Sequence, residues 1–194
     1  DIVGMTFPGG LIIGVIAMTV VVAASNYLVQ FPVNDWVTWG AFTYPVAFLV
    51  TDLINRAFGA ARARQVVYVG FALAVTLSIV LATPQIALAS GTAFLAAQLL
   101  DVKMFDRLQH LGSWWTAPLV SSAVASALDT ALFFSIAFIG TGMPVVALGA
   151  AGFEVTVPLW VTLGLGDYVV KLVLALSMLL PFRVLMQLTR PQRV

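Results

Sequence analysis

Again and again along this chain, about 20 mostly apolar residues pass before a charge, a proline or a glycine cluster interrupts them. That recurrence leaves few folds open. A run of this length crosses the hydrocarbon of a bilayer as a helix, because a helix pairs its own backbone polar groups where no water can. Six such runs can be drawn, over residues 9–31, 39–58, 65–82, 84–104, 114–139 and 160–180. Composition agrees: 61% of the 194 residues are hydrophobic and 9% are charged, against about a quarter charged in a soluble domain. We therefore expect an all-α polytopic membrane protein, a single transmembrane domain over residues 1–194 with six transmembrane helices. The chain opens on Asp1 without an initiator Met, so its start reads as trimmed rather than as a signal peptide.

Between the fifth and sixth runs, residues 140–159 hold Gly140, Gly142, Gly149, Gly152, Pro144 and Pro158. These breakers argue against a continuous helix and predict an interfacial or re-entrant loop, with a seventh short span as the other reading. Basic residues set the orientation, since short cytoplasmic loops collect Lys and Arg. Arg56, Arg62 and Arg64 follow the second run, Lys103 and Arg107 the fourth, and Arg183, Arg190 and Arg193 the sixth. All eight fall on one side, which predicts cytoplasmic N and C termini and fits an even number of spans. Trp36, Trp39, Trp114, Trp115 and Trp160 stand at run ends, where an interfacial belt puts tryptophan. Ala89, Ala93 and Ala97, and again Ala117, Ser121 and Ala125, are spaced by four, as in helices that approach closely.

Charge and residue types exclude several functions. A net charge of +1 offers no basic stripe for a nucleic-acid partner. With no cysteine and a single histidine, His110, thiol and disulfide chemistry and two-imidazole metal sites are excluded. No cofactor or metal is called for. An intramembrane enzyme is the rival class, but His110 sits in a charged loop, and Asp129-Thr130-Ala131 does not match Asp167-Tyr168-Val169 as a paired-aspartate protease would need.

What remains is polarity inside the apolar runs. An ionised side chain at the bilayer centre costs roughly 2.5–3.5 kcal/mol on insertion scales, so each one requires a reason. Asp129 lies midway along the fifth run. Asp167 and Lys171 stand four apart in the sixth, in the favourable order for a helical ion pair. Asp52 and Arg56 have the same spacing, with Asn55 beside them; Gln98 and Asp101 share the fourth run, and Asn26 and Gln30 the first. Pairing Asp167 with Lys171 and Asp52 with Arg56 leaves Asp129 alone unless Lys171 reaches it from a neighbouring helix. Asp101 can snorkel towards Lys103 or Arg107. Polar groups from four runs also fit a polar cavity between helices, with Phe42, Tyr44 and Phe48 as aromatic faces.

The stretch Thr38-Trp39-Gly40-Ala41-Phe42-Thr43-Tyr44-Pro45, continued by Phe48-Leu49-Val50-Thr51-Asp52-Leu53-Ile54-Asn55-Arg56-Ala57-Phe58-Gly59, resembles the queuosine precursor transporter family, also called the vitamin uptake transporter family. Further blocks agree in order: Ala89-Ser90-Gly91-Thr92-Ala93 with Gln98-Leu99-Leu100-Asp101-Val102 and Phe105-Asp106-Arg107-Leu108; Trp114-Trp115-Thr116-Ala117-Pro118 with Asp129-Thr130; and Gly166-Asp167-Tyr168 with Lys171 and Pro181-Phe182-Arg183. The match runs over residues 26–185, and the glycine-rich 140–159 stretch departs from it. The resemblance implies an importer in the bacterial inner membrane for 7-deazaguanine bases: cyano-deazaguanine, aminomethyl-deazaguanine or queuine. An importer of another vitamin or nucleobase is the alternative. A homodimer and a separate motor protein are left open as partners, since the chain has no Walker-type loop of its own.

A deazaguanine presents a ring N–H and an exocyclic amine on one edge, which a carboxylate accepts together. Asp129 and Asp101 rank first as that reader, with Gln98 or Asn55 donating to the ring carbonyl. Asp52, Asp167, Lys171, Asn26, Phe42 and Tyr44 complete the expected substrate-binding set.

Overall fold

Without water to take up its backbone groups, an apolar run closes its hydrogen bonds internally, and the apolar runs of this chain form helices. The computed structural model describes residues 9–28, 31–34, 37–81, 83–150 and 153–188. Over these the order is α1 (Gly9–Leu28), β1 (Pro32–Asn34), β2 (Val37–Thr38), α2 (Gly40–Phe58), α3 (Ala60–Leu81), α4 (Pro84–Leu108), α5 (Thr116–Phe138), β3 (Val145–Ala150), β4 (Phe153–Pro158) and α6 (Leu159–Leu188). Three helices, Pro84–Leu108, Thr116–Phe138 and Leu159–Gln187, are long and apolar enough to cross a membrane, and a shorter apolar helix covers Gly9–Ser25.

Local chemistry sets the breaks between helices. Only Gly59 separates α2 from α3; its φ of +83° makes the reversal, and its N–H returns to the Asn55 carbonyl at 2.8 Å. Such a left-handed position favours glycine. Thr83 caps α4, its side chain accepting from the Ile86 N–H, while Pro84 takes the first turn, where the missing N–H costs nothing. Two helices outrun their apolar stretches. The α3 helix starts at Ala60, so exposed Arg62 and Arg64 lie in its first turns. The α6 helix passes through Pro181 to Leu188, a proline that helices in apolar surroundings absorb by local adjustment.

Within residues 140–159, where the sequence predicts an interfacial or re-entrant loop, the chain forms strands, so the fold is mostly and not wholly helical. The glycines at 140 and 142 do end α5, with φ of +78° and +67°. Beyond them, β3 and β4 pair as an antiparallel hairpin running from Val145 opposite Pro158 to Ala150 opposite Phe153. The Leu159 N–H to Pro144 carbonyl bond at 2.9 Å closes its base. Val145, Val146, Val155, Thr156 and Val157 explain the outcome, because β-branched side chains suit strands.

Helices α4 and α5 lie closest together in the bundle. Ala89, Ala93 and Ala97 of α4, with Ala117, Ser121 and Ala125 of α5, are all buried. On the other side, α1 packs on α2 and α3 so tightly that a Cβ on Gly14 would come within 2.6 Å of the Ile54 side chain. Helix α6 closes the bundle against α2 and α5. Its outward face, with Leu165, Val169, Val173, Leu176 and Leu180, is exposed, whereas Asp52, Asn55, Gln98, Asp101, Asp129 and Lys171 are buried. An apolar exterior around a charged interior suits a lipid environment, and the chain is a helical membrane protein.

Of the tryptophans, Trp39 and Trp115 are exposed just ahead of α2 and α5, Trp160 is in the first turn of α6, and Trp36 lies outside the described residues. Trp114 packs beneath the Arg183 guanidinium, 5.0 Å from its ring centre. That contact brings the α4–α5 turn and the far part of α6 to one end of the bundle.

Candidate functional site

Helices α2 and α5 each carry polar residues at two levels, about two turns apart. Tyr44 and Asp52 are separated by eight residues on α2, and Asp129 and Ser121 by eight on α5; at 1.5 Å per residue each interval is about 12 Å. Two separate polar clusters result.

At the first level Lys171 is the hub. Its Nζ lies 2.7 Å from Asp129 Oδ2 on α5 and 2.5 Å from Asp167 Oδ2 one turn earlier on α6. It also reaches Thr130 Oγ1 at 3.2 Å, which uses its third donor position. Thr130 in turn donates to Asp167 Oδ2 at 2.7 Å. The Tyr44 hydroxyl donates to Asp129 Oδ1 at 2.8 Å, and the Lys171 ammonium stands 5.1 Å from the Tyr44 ring centre. Lys171 thus forms both the pair within its own helix and the pair across helices. Both oxygens of Asp129 are engaged.

At the second level the pattern reverses. Asp52 and Asn55 of α2, Gln98 and Asp101 of α4, and Ser121 and Ser126 of α5 are each at most 1% exposed. Few contacts hold them: Thr51 donates to Gln98 Oε1 at 2.6 Å, and Asn55 Nδ2 donates to the Val102 carbonyl at 2.9 Å. The Asp52 and Asp101 carboxyls lie near each other, with the Ser121 hydroxyl beside Asp101. Yet among the described residues Asp52 Oδ1, both oxygens of Asp101, Asn55 Oδ1, Gln98 Nε2 and the hydroxyls of Ser121 and Ser126 make no hydrogen bond of good length and angle, the Asp52–Asp101 and Ser121–Asp101 approaches being looser contacts. A buried polar group left unsatisfied costs about 1–3 kcal/mol, so this many at one place marks a site organised for something other than stability.

The expected Asp52–Arg56 pair does not form. Among the described residues the ion pairs are those of Lys171, and the Arg56 Nε is buried without a partner while Asp52 faces Asp101 instead. Nor does Asp101 snorkel; Lys103 and Arg107 are exposed while Asp101 is fully buried. Phe42 is 41% exposed and packs at a tilt against Trp39, ring centres 5.8 Å apart, with no ring contact to either cluster among the described residues. Asn26 lies on α1, its side chain outside the described residues, as are Gln30 and Asp35.

Between the two levels Phe48, Ala97 and Ala125 pack together with Tyr44 against them. Beside this layer a narrow cleft lined by Asp52, Phe48, Ser122 and Ser126 is closed by Ala175, Met178 and Phe182 of α6; it has room for about one water. Thr51, Ser121, Ser122, Ser126 and Thr130 are polar residues that charge-by-charge reading passed over. The signal was present in α5, where Ser122, Ser126, Asp129 and Thr130 recur at helical spacing.

Comparison with known proteins follows the same residues. A family model described as "Putative vitamin uptake transporter" matches residues 38–83 and 77–186. The chain is 35% identical over 196 residues to a "Probable queuosine precursor transporter" of Haemophilus influenzae, covering 83% of this chain and 79% of that one. It is 33% identical over 184 residues to the "Queuosine precursor transporter" of Escherichia coli K12, with the same coverage of both. A "Probable queuosine precursor transporter" of Bacillus subtilis is 28% identical over 130 residues, 53% of this chain and 57% of that one. No solved structure matches.

Proposed function

The chain belongs to the vitamin uptake transporter family, and from that premise we propose that it imports queuosine precursors, 7-deazaguanine bases, across the bacterial inner membrane. The observation that carries the reading is the set of unpartnered polar atoms on α2, α4 and α5. A deazaguanine offers donors on one edge and a carbonyl beside them. The free acceptors of Asp101 and Asp52 suit the donor edge, and the Gln98 Nε2 suits the carbonyl. Asp129 and Asp167, already held by Lys171, are secondary candidates. Binding and translocation require no covalent chemistry.

Six spans with both termini in the cytoplasm form the accompanying topology. Its support is the grouping of charge: Arg62 and Arg64 at the α2–α3 turn, Lys103 and Arg107 near the end of α4, and Arg183 over Trp114. The β3–β4 hairpin then lies at the outer face. It belongs in the interface and not in the hydrocarbon, because a two-stranded hairpin has unpaired outer edges that lipid cannot satisfy. The cleft beside Asp52 is too narrow for a bicyclic base, so α6 moves away from α2 and α5 to admit one, as alternating access requires.

Cells unable to make the precursor test the function directly. Expression of this chain restores queuosine to their tRNA when cyano- or aminomethyl-deazaguanine is supplied outside. Absence of queuosine with the protein present in the membrane overturns the reading, and uptake of a different base in its place identifies another nucleobase as the substrate.

A further inference from the structure

The Lys171 ammonium is saturated with acceptors, but its cluster is not balanced in charge. Two carboxylates and one ammonium sum to −2 + 1 = −1. Residue exposures of 4% for Asp129, 9% for Asp167 and 4% for Lys171 remove the charge from water, and an uncompensated buried charge is strongly unfavourable. Among the described residues, the neighbours do not supply the missing positive charge. Helix α5 contributes Asp129, α2 contributes the neutral Tyr44 hydroxyl, and β2 (Val37–Thr38) has no ionisable residue; Glu154 of β4 has its side chain outside the described residues.

We propose that the Asp129–Lys171–Asp167 triad is a proton-binding site that couples import of the base to proton entry, with Asp167 as the group that takes up and releases the proton. This rests on the importer reading above. Geometry selects Asp167. Asp129 accepts hydrogen bonds on both oxygens, from Tyr44 and Lys171, which makes it the more fully engaged of the two acids. Asp167 receives Lys171 and Thr130 on the same oxygen, Oδ2, which leaves Oδ1 as the seat. Its side chain is also the more open, 12% exposed against 5% for its two partners. On loading, a proton from the outer water converts the Asp167 carboxylate to a carboxylic acid and the triad becomes neutral. On release to the cytoplasm the carboxylate returns, and the negative charge re-forms against Lys171. Bonds of Lys171 across the α5–α6 contact tie this change to the position of α6, the helix that closes the cleft beside Asp52. A sodium ion fits less well, because the Lys171 ammonium already holds the position between the two carboxylates.

Proteoliposomes holding the full chain and radiolabelled aminomethyl-deazaguanine test this. Wild-type protein concentrates the base when the outside is made acidic, and a protonophore abolishes the accumulation. In lightly buffered medium, adding base outside makes that medium more alkaline in step with uptake. Asp167→Asn, neutral without a proton, no longer concentrates the base. The proposal is overturned if wild-type uptake moves no protons, if uptake follows sodium instead, or if Asp167→Asn concentrates the base with wild-type sensitivity to the protonophore. The wild-type proton measurement decides the matter even if the variant fails to fold. Wild-type protein that neither binds nor moves the base overturns the importer reading and the coupling with it, whereas uptake without proton movement overturns only the coupling.

Discussion

Two polar clusters share α2 and α5 yet are built on opposite terms. Around Lys171, every donor of the ammonium has an acceptor, and three helices are tied by charge-assisted bonds of 2.5 to 2.8 Å. Around Asp101, burial is as deep but donors and acceptors alike are left without well-aligned partners. The first arrangement gives stability and a fixed geometry for the charge. The second forgoes stability and keeps acceptors available. Buried charge in a membrane therefore divides into groups that have found their partner within the chain and groups that wait for one from outside. Pairing, more than burial, separates the two.

Removing the hub should produce the largest effect. Lys171→Met leaves two buried carboxylates, and loss of one partner from a buried pair costs about 3–5 kcal/mol; the yield of folded protein in detergent should collapse. Adding Asp167→Asn should restore part of that yield, and adding Asp129→Asn as well should restore most of it. Equal yields for the single and triple variants would mean that the cluster is not an electrostatic unit. Next comes Asp101→Asn, which turns an acceptor into a donor towards the ligand's own donors. Affinity for aminomethyl-deazaguanine should fall on the order of a hundredfold, with a melting temperature at or above that of wild type, since a buried unpaired group is relieved. Unchanged binding would remove Asp101 from the site.

Asp52→Asn should act in the same direction but more weakly, roughly tenfold, because one oxygen of Asp52, against both of Asp101, is sealed from water without a well-aligned partner. Titration of the purified variant reads it, and a loss exceeding that of Asp101→Asn would exchange the roles of the two acids. On base affinity the smallest effect belongs to Tyr44→Phe, which removes one hydrogen bond to a charged group, about 1.5–3 kcal/mol of stability, and should leave affinity unaltered. A marked loss of affinity would join the two clusters into one site.

Much of this contrast was open to reading before any coordinates. The apolar runs marked the helices, and the four-residue offset of Asp167 and Lys171 foretold their pair. Partner choice across helices was not legible. Asp52 stands as far from Arg56 as Asp167 does from Lys171, yet only the second pair closes, because Asp52 turns towards Asp101 on α4. Sequence spacing fixes the face of one helix but not the rotation of the next. The β3–β4 hairpin was hidden for a different reason: its glycines signalled a break in helix, while the valines between them carried the strand signal.

Phe48, Ala97 and Ala125, packed between the two levels, act as the dielectric of a very small capacitor. Its plates are two acid-bearing clusters about 12 Å apart, a separation over which water would screen nearly everything. At an effective dielectric constant near 20, unit charges at that distance feel each other by about 1.4 kcal/mol, roughly a tenfold change in an equilibrium constant. Neutralising the Lys171 plate therefore eases charge on the Asp101 plate before any side chain moves. A polar residue in place of Phe48 would draw water into the gap and discharge that link.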